Sequence, residues 1–206
     1  MRRSRAMKPF VILYATREGQ TRRIAEHIEQ VIRERGHSTR VHDAQGLREP
    51  LDLTGCEGAV VLASVHVGKH EPEMVELVKR HRDALERLSA SFVSVSLTEA
   101  GAEDASLPAD QRAKAAADVQ AMIDRFLAET GWRPGGVKAV AGALPYSKYN
   151  FILRFVMKQI AKKSSSATDT SRDYEFTDWK AVDAFVDALL AERAAHVETQ
   201  ELAAPV

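Results

Sequence analysis

Short runs of strand length alternate along the chain with longer stretches whose apolar residues recur at helical spacing. Five strands are predicted at Phe10–Ala15, Thr39–Asp43, Ala59–Ala63, Ser91–Leu97 and Lys138–Leu144. Helices are predicted at Thr21–Glu34, Glu71–Leu88, Asp110–Thr130 and Asp178–Glu192, with a polar loop at Thr98–Pro108 and a closing strand at Tyr174–Thr177. Buried strands separated by helices pair in parallel through right-handed crossovers. The pattern therefore predicts an α/β protein with a doubly wound, five-stranded parallel sheet in the order 2-1-3-4-5.

The length of 206 residues suits one domain, which we expect at residues 8–195, with flexible tails at residues 1–7 and 196–206. Basic and acidic residues both number 29, so the charge does not favour nucleic acid as a partner. Cys56 is the single cysteine, which excludes an internal disulfide and a cysteine-rich metal site, and we expect no metal. No run reaches the roughly 18 apolar residues of a membrane span, so we expect a cytoplasmic protein.

The turn after the first strand carries hydroxyl groups and a glycine immediately before a helix. Its residues are Thr16, Arg17, Glu18, Gly19, Gln20 and Thr21. Free backbone N–H groups and the positive end of the helix dipole favour an anion at such a helix start, and Gly19 allows close approach of the backbone. The turn lacks the motifs of triphosphate and dinucleotide sites, which favours a single phosphate monoester. An ordinary turn in which Thr21 only caps the helix is the alternative.

A second loop follows the third strand, where the winding of the predicted sheet reverses. Doubly wound sheets bind ligands there, beyond the carboxyl ends of strands 1 and 3. The loop consists of Ser64, Val65, His66, Val67, Gly68, Lys69 and His70. The two valines are candidates to lie against a planar ring, and the two histidines to relay protons or bind a substrate carboxylate. Solvent-exposed loop histidines without a role are the alternative. We expect Ser96, Leu97 and Thr98, at the end of strand 4, to form a third wall.

One segment departs from the regular alternation of strands and helices. Residues 145–168 contain five basic residues and no acidic one, interspersed with apolar residues such as Phe151, Phe155 and Ile160. This composition predicts a basic, apolar helical insertion associated with strand 5, at about residues 145–170. A helix with a broad apolar side and a cationic edge suits an anionic membrane surface, contacted through residues 145–163, or a large flat anionic ligand. Packing on the sheet with a solvated basic face is the alternative.

In these motifs the chain resembles the flavodoxin-like, menaquinone-dependent protoporphyrinogen IX dehydrogenases of bacteria. The stretches that carry the resemblance are Ala15–Thr21, Ala63–Val65 with Gly68, Trp132–Pro134, Ala141–Leu144 with Tyr146 and Tyr149, Thr168–Thr170, and Thr177–Trp179. They extend over almost the whole predicted domain. The first two stretches are shared with many flavodoxins, whereas the stretches from Ala141 onward are found together in far fewer proteins. The resemblance implies that the predicted sheet is of the flavodoxin type.

The resemblance also implies FMN as the cofactor, held by the turn at residues 16–21, by residues 64–69 and by Ser96 and Leu97. The implied activity is the oxidation of protoporphyrinogen IX with menaquinone or another quinone as acceptor, in haem biosynthesis, with peripheral contact to the inner membrane. Candidate substrate residues are His70, Tyr146, Lys148, Tyr149, Arg154 and Lys158. Among these, Lys148, Arg154 and Lys158 are candidates because cations complement porphyrin propionates. No catalytic base is assigned. An FMN electron carrier, an FMN-dependent quinone reductase acting on another donor, and a regulatory domain with an empty cleft remain open.

Overall fold

Strands and helices alternate in the computed structural model, which describes residues 8–47, 51–144 and 174–202. No helix in these ranges is long and apolar enough to cross a membrane. The elements are β1 (Phe10–Ala15), α1 (Gln20–Glu34), β2 (Thr39–Asp43), β3 (Gly58–His66), β4 (Lys69–His70), α2 (Pro72–Glu86), β5 (Ser89–Ser96), α3 (Leu97–Glu103), α4 (Ala109–Thr130), β6 (Gly136–Ala141), β7 (Ala143–Leu144), β8 (Tyr174–Glu175) and α5 (Trp179–Leu202).

The main sheet has the strand order β2-β1-β3-β5-β6, and every neighbouring pair in this path is parallel. Counted over the parallel strands alone, this is the order 2-1-3-4-5, so the predicted topology is confirmed. The short strand β4 was not predicted; it turns back from β3 and pairs with it antiparallel. The winding reverses between β1 and β3, which places a crevice beyond the carboxyl ends of these two strands.

Apolar side chains fill both faces of the sheet, because alternate residues of a strand point to opposite sides. Ile12 of β1 belongs to the cluster that contains Ile28 of α1 and Val186 of α5. Leu13, the next residue, belongs to the cluster on the other face, with residues of α2 and α4 such as Ile123. Continuous burial of β1 therefore reflects two layers of helices around one sheet.

The segment predicted as a polar loop at residues 98–108 begins with the helix α3. The hydroxyl oxygen of Ser96 accepts a hydrogen bond from the backbone N–H of Glu99 at 3.2 Å and caps this helix. A serine followed three residues later by glutamate is a known sequence signature of a helix start. The loop prediction was wrong here because the hydroxyl of Ser96 was interpreted only as a wall of the crevice.

The end of the sheet also differs from the prediction. The fifth parallel strand ends at Ala141, and after Gly142 the chain forms β7, which pairs antiparallel with β8 as a separate ladder. The predicted closing strand is therefore shorter and lies outside the main sheet. Helix α5 continues to Leu202, past the expected end of the domain at residue 195 and into the expected tail. The expected tail at residues 1–7 and the insertion at about residues 145–170 lie outside the described residues.

Candidate functional site

The turn at residues 16–21, predicted to bind a phosphate and called the phosphate turn below, presents the start of α1 to the crevice. The residue before the helix, Gly19, has a φ of 101°, a conformation that favours glycine, and no described side chain caps the helix. Thr16 organises the turn instead, since its Oγ1 accepts a hydrogen bond from the N–H of Gly19 at 3.0 Å. The hydroxyl proton of Thr16 remains available to a ligand. A helix start with uncapped N–H groups at the end of β1 is suited to bind an anion.

The side chain of Thr21 is a second indication that this turn binds an anion. Thr21 is 1% exposed, and its hydroxyl has no hydrogen-bond partner among the described residues. Leaving a buried hydroxyl unpaired is costly, so native structures seldom do so without a reason. Thr21 lines the crevice, where a ligand oxygen would supply the missing partner. The alternative that Thr21 merely caps α1 is wrong, because Gly19 occupies the cap position.

The crevice is a cleft of about 300 Å³. Most of the residues proposed from sequence as cofactor contacts line it, namely Thr16, Glu18, Gln20, Thr21, Ser64, Val65, His66, Val67, Gly68, Ser96 and Leu97. Thr98, expected in the third wall, lines it as well, whereas the sequence reasoning missed Val95, Met122, Gly142 and Ala143. Gly142 and Ala143 lie within one of the motif stretches, and that signal could have found them. Met122 comes from α4, far away in sequence, and nothing local marks it.

Three of the proposed contacts do not line this cleft. Gly19 is engaged with Thr16, and Lys69 lies with Arg17 beside a neighbouring cavity. The guanidinium of Arg17 binds the carboxylate of Glu71 through Nη2 to Oε2 at 2.9 Å and Nε to Oε1 at 3.3 Å. This pairing raises the pKa of Arg17. Arg17 therefore holds the turn in place from outside the cleft.

Glu71 connects the two loops that form the cleft. Its side chain is fully buried, and besides Arg17 it accepts a hydrogen bond from Oγ of Ser64 at 3.2 Å. The backbone N–H of Glu71 in turn donates to the carbonyl of Ser64 at 3.1 Å. A buried carboxylate with these partners is satisfied in its charged form. The phosphate turn and the end of β3 are thus fixed relative to each other.

At the tip of the β3–β4 hairpin, Val67 has a backbone conformation that is unfavourable for valine. Val67 and Gly68 have φ angles of 49° and 74°, as a two-residue turn with both central residues in the left-handed region requires. Valine is β-branched and is strained at positive φ, and its side chain is 89% exposed. Strain and exposure of an apolar side chain coincide at one residue of the cleft wall, which favours a role in ligand contact.

The two histidines of this loop have different environments. His66 lies at the cleft with a half-exposed ring, and its Nδ1 is 3.8 Å from Oε1 of Glu18. His70 is buried in contact with the rings of Phe92 and Phe126, and its Nε2 is 2.8 Å from Oγ of Ser94. Burial lowers the pKa of His70 to about 4, so the ring is neutral at physiological pH. The alternative of an exposed loop residue is wrong for His70.

The ladder of β7 and β8 brings together Leu144 and Tyr174, the described residues before and after the segment that contains the predicted insertion. Ala143, a cleft residue, pairs with Glu175, so the chain leaves after residue 144 and returns at residue 174 beside the site. The first turn of α1 is attached to this ladder, because Nε2 of Gln20 donates to Oε1 of Glu175 at 3.1 Å and to Oγ1 of Thr177 at 2.9 Å. The candidate substrate residues Tyr146, Lys148, Tyr149, Arg154 and Lys158 lie outside the described residues.

The sheet order and the anion-binding turn at its switch point define a flavodoxin-type protein, and a family model described as a flavodoxin domain matches residues 11–171. A solved short-chain flavodoxin associated with a PDU bacterial microcompartment shares the fold, with a TM-score of 0.51, 12% identity, and coverage of 91% of this chain and 99% of that one.

Two curated relatives are similar over most of their length. One from Escherichia coli K12, named protoporphyrinogen IX dehydrogenase (quinone), is 31% identical over 172 residues, which cover 84% of this chain and 89% of the relative. A relative of the same name from Leishmania major is 28% identical, over 88% of this chain and 74% of its own. The chain belongs to the flavodoxin-like family of these dehydrogenases.

Proposed function

We propose that this protein is an FMN-dependent oxidoreductase that converts protoporphyrinogen IX into protoporphyrin IX and passes the electrons to a quinone. The observation that carries the proposal is the buried hydroxyl of Thr21, which has no partner within the described part of the chain. It lies at the start of α1, in the cleft at the switch point of the sheet. This arrangement fits a phosphate monoester such as the one on FMN. The names of the relatives supply the substrate and the type of acceptor.

The residues of the cleft fit FMN in two parts. Thr16, Thr21 and the N–H groups of the first turn of α1 hold the phosphate, and Gln20 places that turn against β8. The apolar residues Val65, Val67 and Leu97, together with the backbone of Gly68, form the walls for the flat ring system. The combination of one anion site and one apolar slot matches a flavin nucleotide with a single phosphate.

Bound FMN supplies the redox chemistry, and the protein supplies position and environment. The Arg17–Glu71–Ser64 contacts keep the phosphate turn and the end of β3 at a fixed separation. His66, half-exposed at the cleft, is the imidazole placed to exchange protons with solvent as the substrate loses hydrogen. His70 is excluded from this task, because its neutral ring lies under the hairpin rather than in the cleft.

The insertion at about residues 145–170 is the proposed contact with large apolar molecules. The described residues on either side of that segment, Leu144 and Tyr174, pair in the β7–β8 ladder, beside the cleft residue Ala143. Lys148, Arg154 and Lys158 provide positive charge for porphyrin carboxylates or anionic lipid, and Tyr146 and Tyr149 provide aromatic surface. Menaquinone as the acceptor and peripheral contact with the cytoplasmic face of a membrane belong to this proposal.

An anaerobic assay tests the function directly. The purified protein, loaded with FMN, is mixed with protoporphyrinogen IX and a soluble menaquinone analogue, and the appearance of porphyrin fluorescence is followed. We expect fluorescence to rise only when protein, FMN and quinone are all present. A variant with Lys148, Arg154 and Lys158 changed to serine should raise KM for the porphyrinogen and weaken binding to anionic vesicles.

The alternatives give different results in the same assay. An electron carrier or a quinone reductase acting on another donor would bind FMN but would not accelerate porphyrin formation over the reaction without protein. A regulatory domain with an empty cleft would leave the fluorescence of added FMN unquenched. Either result would overturn the proposed activity.

A further inference from the structure

A second cavity, of about 360 Å³, lies on the other side of the β3–β4 hairpin from the cofactor cleft. Residues of α2, such as Val75, and of α4, such as Phe126, form its two sides, and we call it the α2–α4 groove. It shares His66 and Met122 with the cleft, so only the hairpin separates the two cavities. A molecule larger than the cleft that extends past the hairpin tip would reach this groove.

The floor of the α2–α4 groove is mainly apolar, and Glu71, a buried carboxylate that also lines it, is paired with Arg17. Val75, Met122 and Phe126 are each at least nine-tenths buried there. The ring of His70 completes the floor, and it adds no charge because burial keeps it neutral. Such a floor suits the hydrocarbon part of a ligand.

The charges at the rim of the groove are unevenly distributed. At one end, Nζ of Lys79 lies 3.2 Å from Glu76 and 3.3 Å from Glu129, so these two carboxylates share a cation. At the hairpin end, Lys69 and Arg125 have no carboxylate partner among the described residues. Positive charge is therefore concentrated next to the cofactor cleft, although the charge of the whole chain is balanced.

The position of Arg125 is fixed by the hairpin. Its Nη1 donates a hydrogen bond to the carbonyl of Gly68 at 3.1 Å, which holds the guanidinium against the hairpin tip. A guanidinium has five N–H donors, so most of them remain for a ligand. Lys69 follows Gly68 in the chain and pairs across the hairpin with His66. Two cations thus flank the strained tip formed by Val67 and Gly68.

We propose that Lys69 and Arg125 bind one carboxylate group of the substrate and thereby position its ring over the hairpin tip at the cofactor cleft. The inference rests on the proposed function and assigns the substrate's acidic edge to the α2–α4 groove. Protoporphyrinogen IX carries two propionates on one edge of an apolar macrocycle, so one propionate can meet the two cations at the rim while the macrocycle lies on the apolar floor. Charge-assisted contacts of this kind are strong and directional, above all with arginine.

A binding experiment compares protoporphyrin IX with its dimethyl ester, which has the same ring but no negative charge. Both are titrated in the same neutral detergent into the FMN-loaded protein, and binding is followed by fluorescence anisotropy. The variants are K69Q/R125Q, the conservative R125K, and K114Q as the control. Lys114 lies on the exposed side of α4 and pairs with Asp118 at 2.8 Å, away from the groove.

The unaltered protein should bind the diacid more tightly than the ester. K69Q/R125Q should weaken diacid binding about tenfold while leaving ester binding unchanged. The affinity of R125K for the diacid should lie between those of the unaltered protein and the double variant, and K114Q should match the unaltered protein. Higher salt should weaken binding of the diacid only. If K69Q/R125Q still prefers the diacid over the ester as strongly as the unaltered protein does, the role of the groove is overturned and the proposed function remains intact. Failure of the unaltered protein to bind either porphyrin would overturn both.

Discussion

The guanidinium of Arg17 lies 2.9 Å from the fully buried carboxylate of Glu71 and joins the two loops of the cleft. The two residues are 54 positions apart in the chain, in segments that meet only because β1 and β3 are neighbours in the sheet. The side chain of Arg17 is half-exposed, so the ion pair has one solvated and one desolvated partner. Its effect is to fix the geometry of a site that Arg17 does not enter.

Replacing Arg17 with glutamine should destabilise the protein, because the buried carboxylate of Glu71 then loses its charged partner. We expect the free energy of unfolding to fall by about 2 kcal/mol, below the value for a fully buried pair since Arg17 is half-exposed. Urea denaturation measures the change. Arg22→Gln is the matched control, since Arg22 forms an exposed, solvent-screened pair with Glu26, and its loss should cost much less than that of Arg17. Equal losses in both variants would contradict the buried role of Glu71.

Replacing Thr21 with valine should separate cofactor binding from stability. Valine has nearly the same shape and removes a buried hydroxyl that has no partner among the described residues, so the FMN-free protein should be as stable as before or gain about 1 kcal/mol. FMN should bind about tenfold more weakly, because its phosphate loses a donor. Quenching of flavin fluorescence measures the affinity. Riboflavin, which has no phosphate, is the control and should bind both proteins equally; a matching loss for riboflavin would place the phosphate elsewhere.

Replacing Val67 with asparagine should stabilise the fold. Asparagine tolerates positive φ better than a β-branched residue, and Val67 makes little use of its apolar side chain, being 89% exposed. We expect the free energy of unfolding to rise by about 1 kcal/mol. Ala102→Asn, at a partly buried position of α3 whose φ is not positive, serves as the comparison and should give no gain. If the Val67 variant is less stable than the unaltered protein, the conformation of the hairpin tip is not strained.

The stability of the protein should depend on the protonation of His70. Burial lowers its pKa from 6.5 to about 4, so between these values the unfolded chain binds a proton that the folded protein does not. The free energy of unfolding contributed by this residue is fully present above pH 6.5 and should be lost as the pH falls toward 4, by at most roughly 3 kcal/mol. Denaturation at pH 7.5 and at pH 5 measures the loss.

His70→Gln removes this titration and should flatten the pH dependence between those two values. His81→Gln is the control, because His81 lies on α2 with only partial burial and its pKa is lowered less. An unchanged pH dependence in His70→Gln would show that His70 is not the group responsible.

The topology followed from the sequence because a buried parallel sheet leaves a strong pattern. Continuous apolar runs of strand length, separated by stretches with helical spacing, permit few other arrangements. The phosphate turn was equally visible, since Thr16, Gly19 and Thr21 are adjacent in the chain and their chemistry depends on local backbone geometry. Local signals were also present but overlooked at Ser96, where a capping serine starts α3.

What the sequence determined by itself was therefore the alternation of elements, the strand order and the position, at the start of α1, of the turn that we propose as the phosphate site. Only the tertiary structure decided that Arg17 faces Glu71 instead of the ligand, that His70 is buried and neutral, and that Arg125 stands beside the hairpin. The physical reason is distance along the chain. Periodicity and turn chemistry act between near neighbours, whereas the partner of a charge and the burial of a ring depend on segments that the folded sheet brings together.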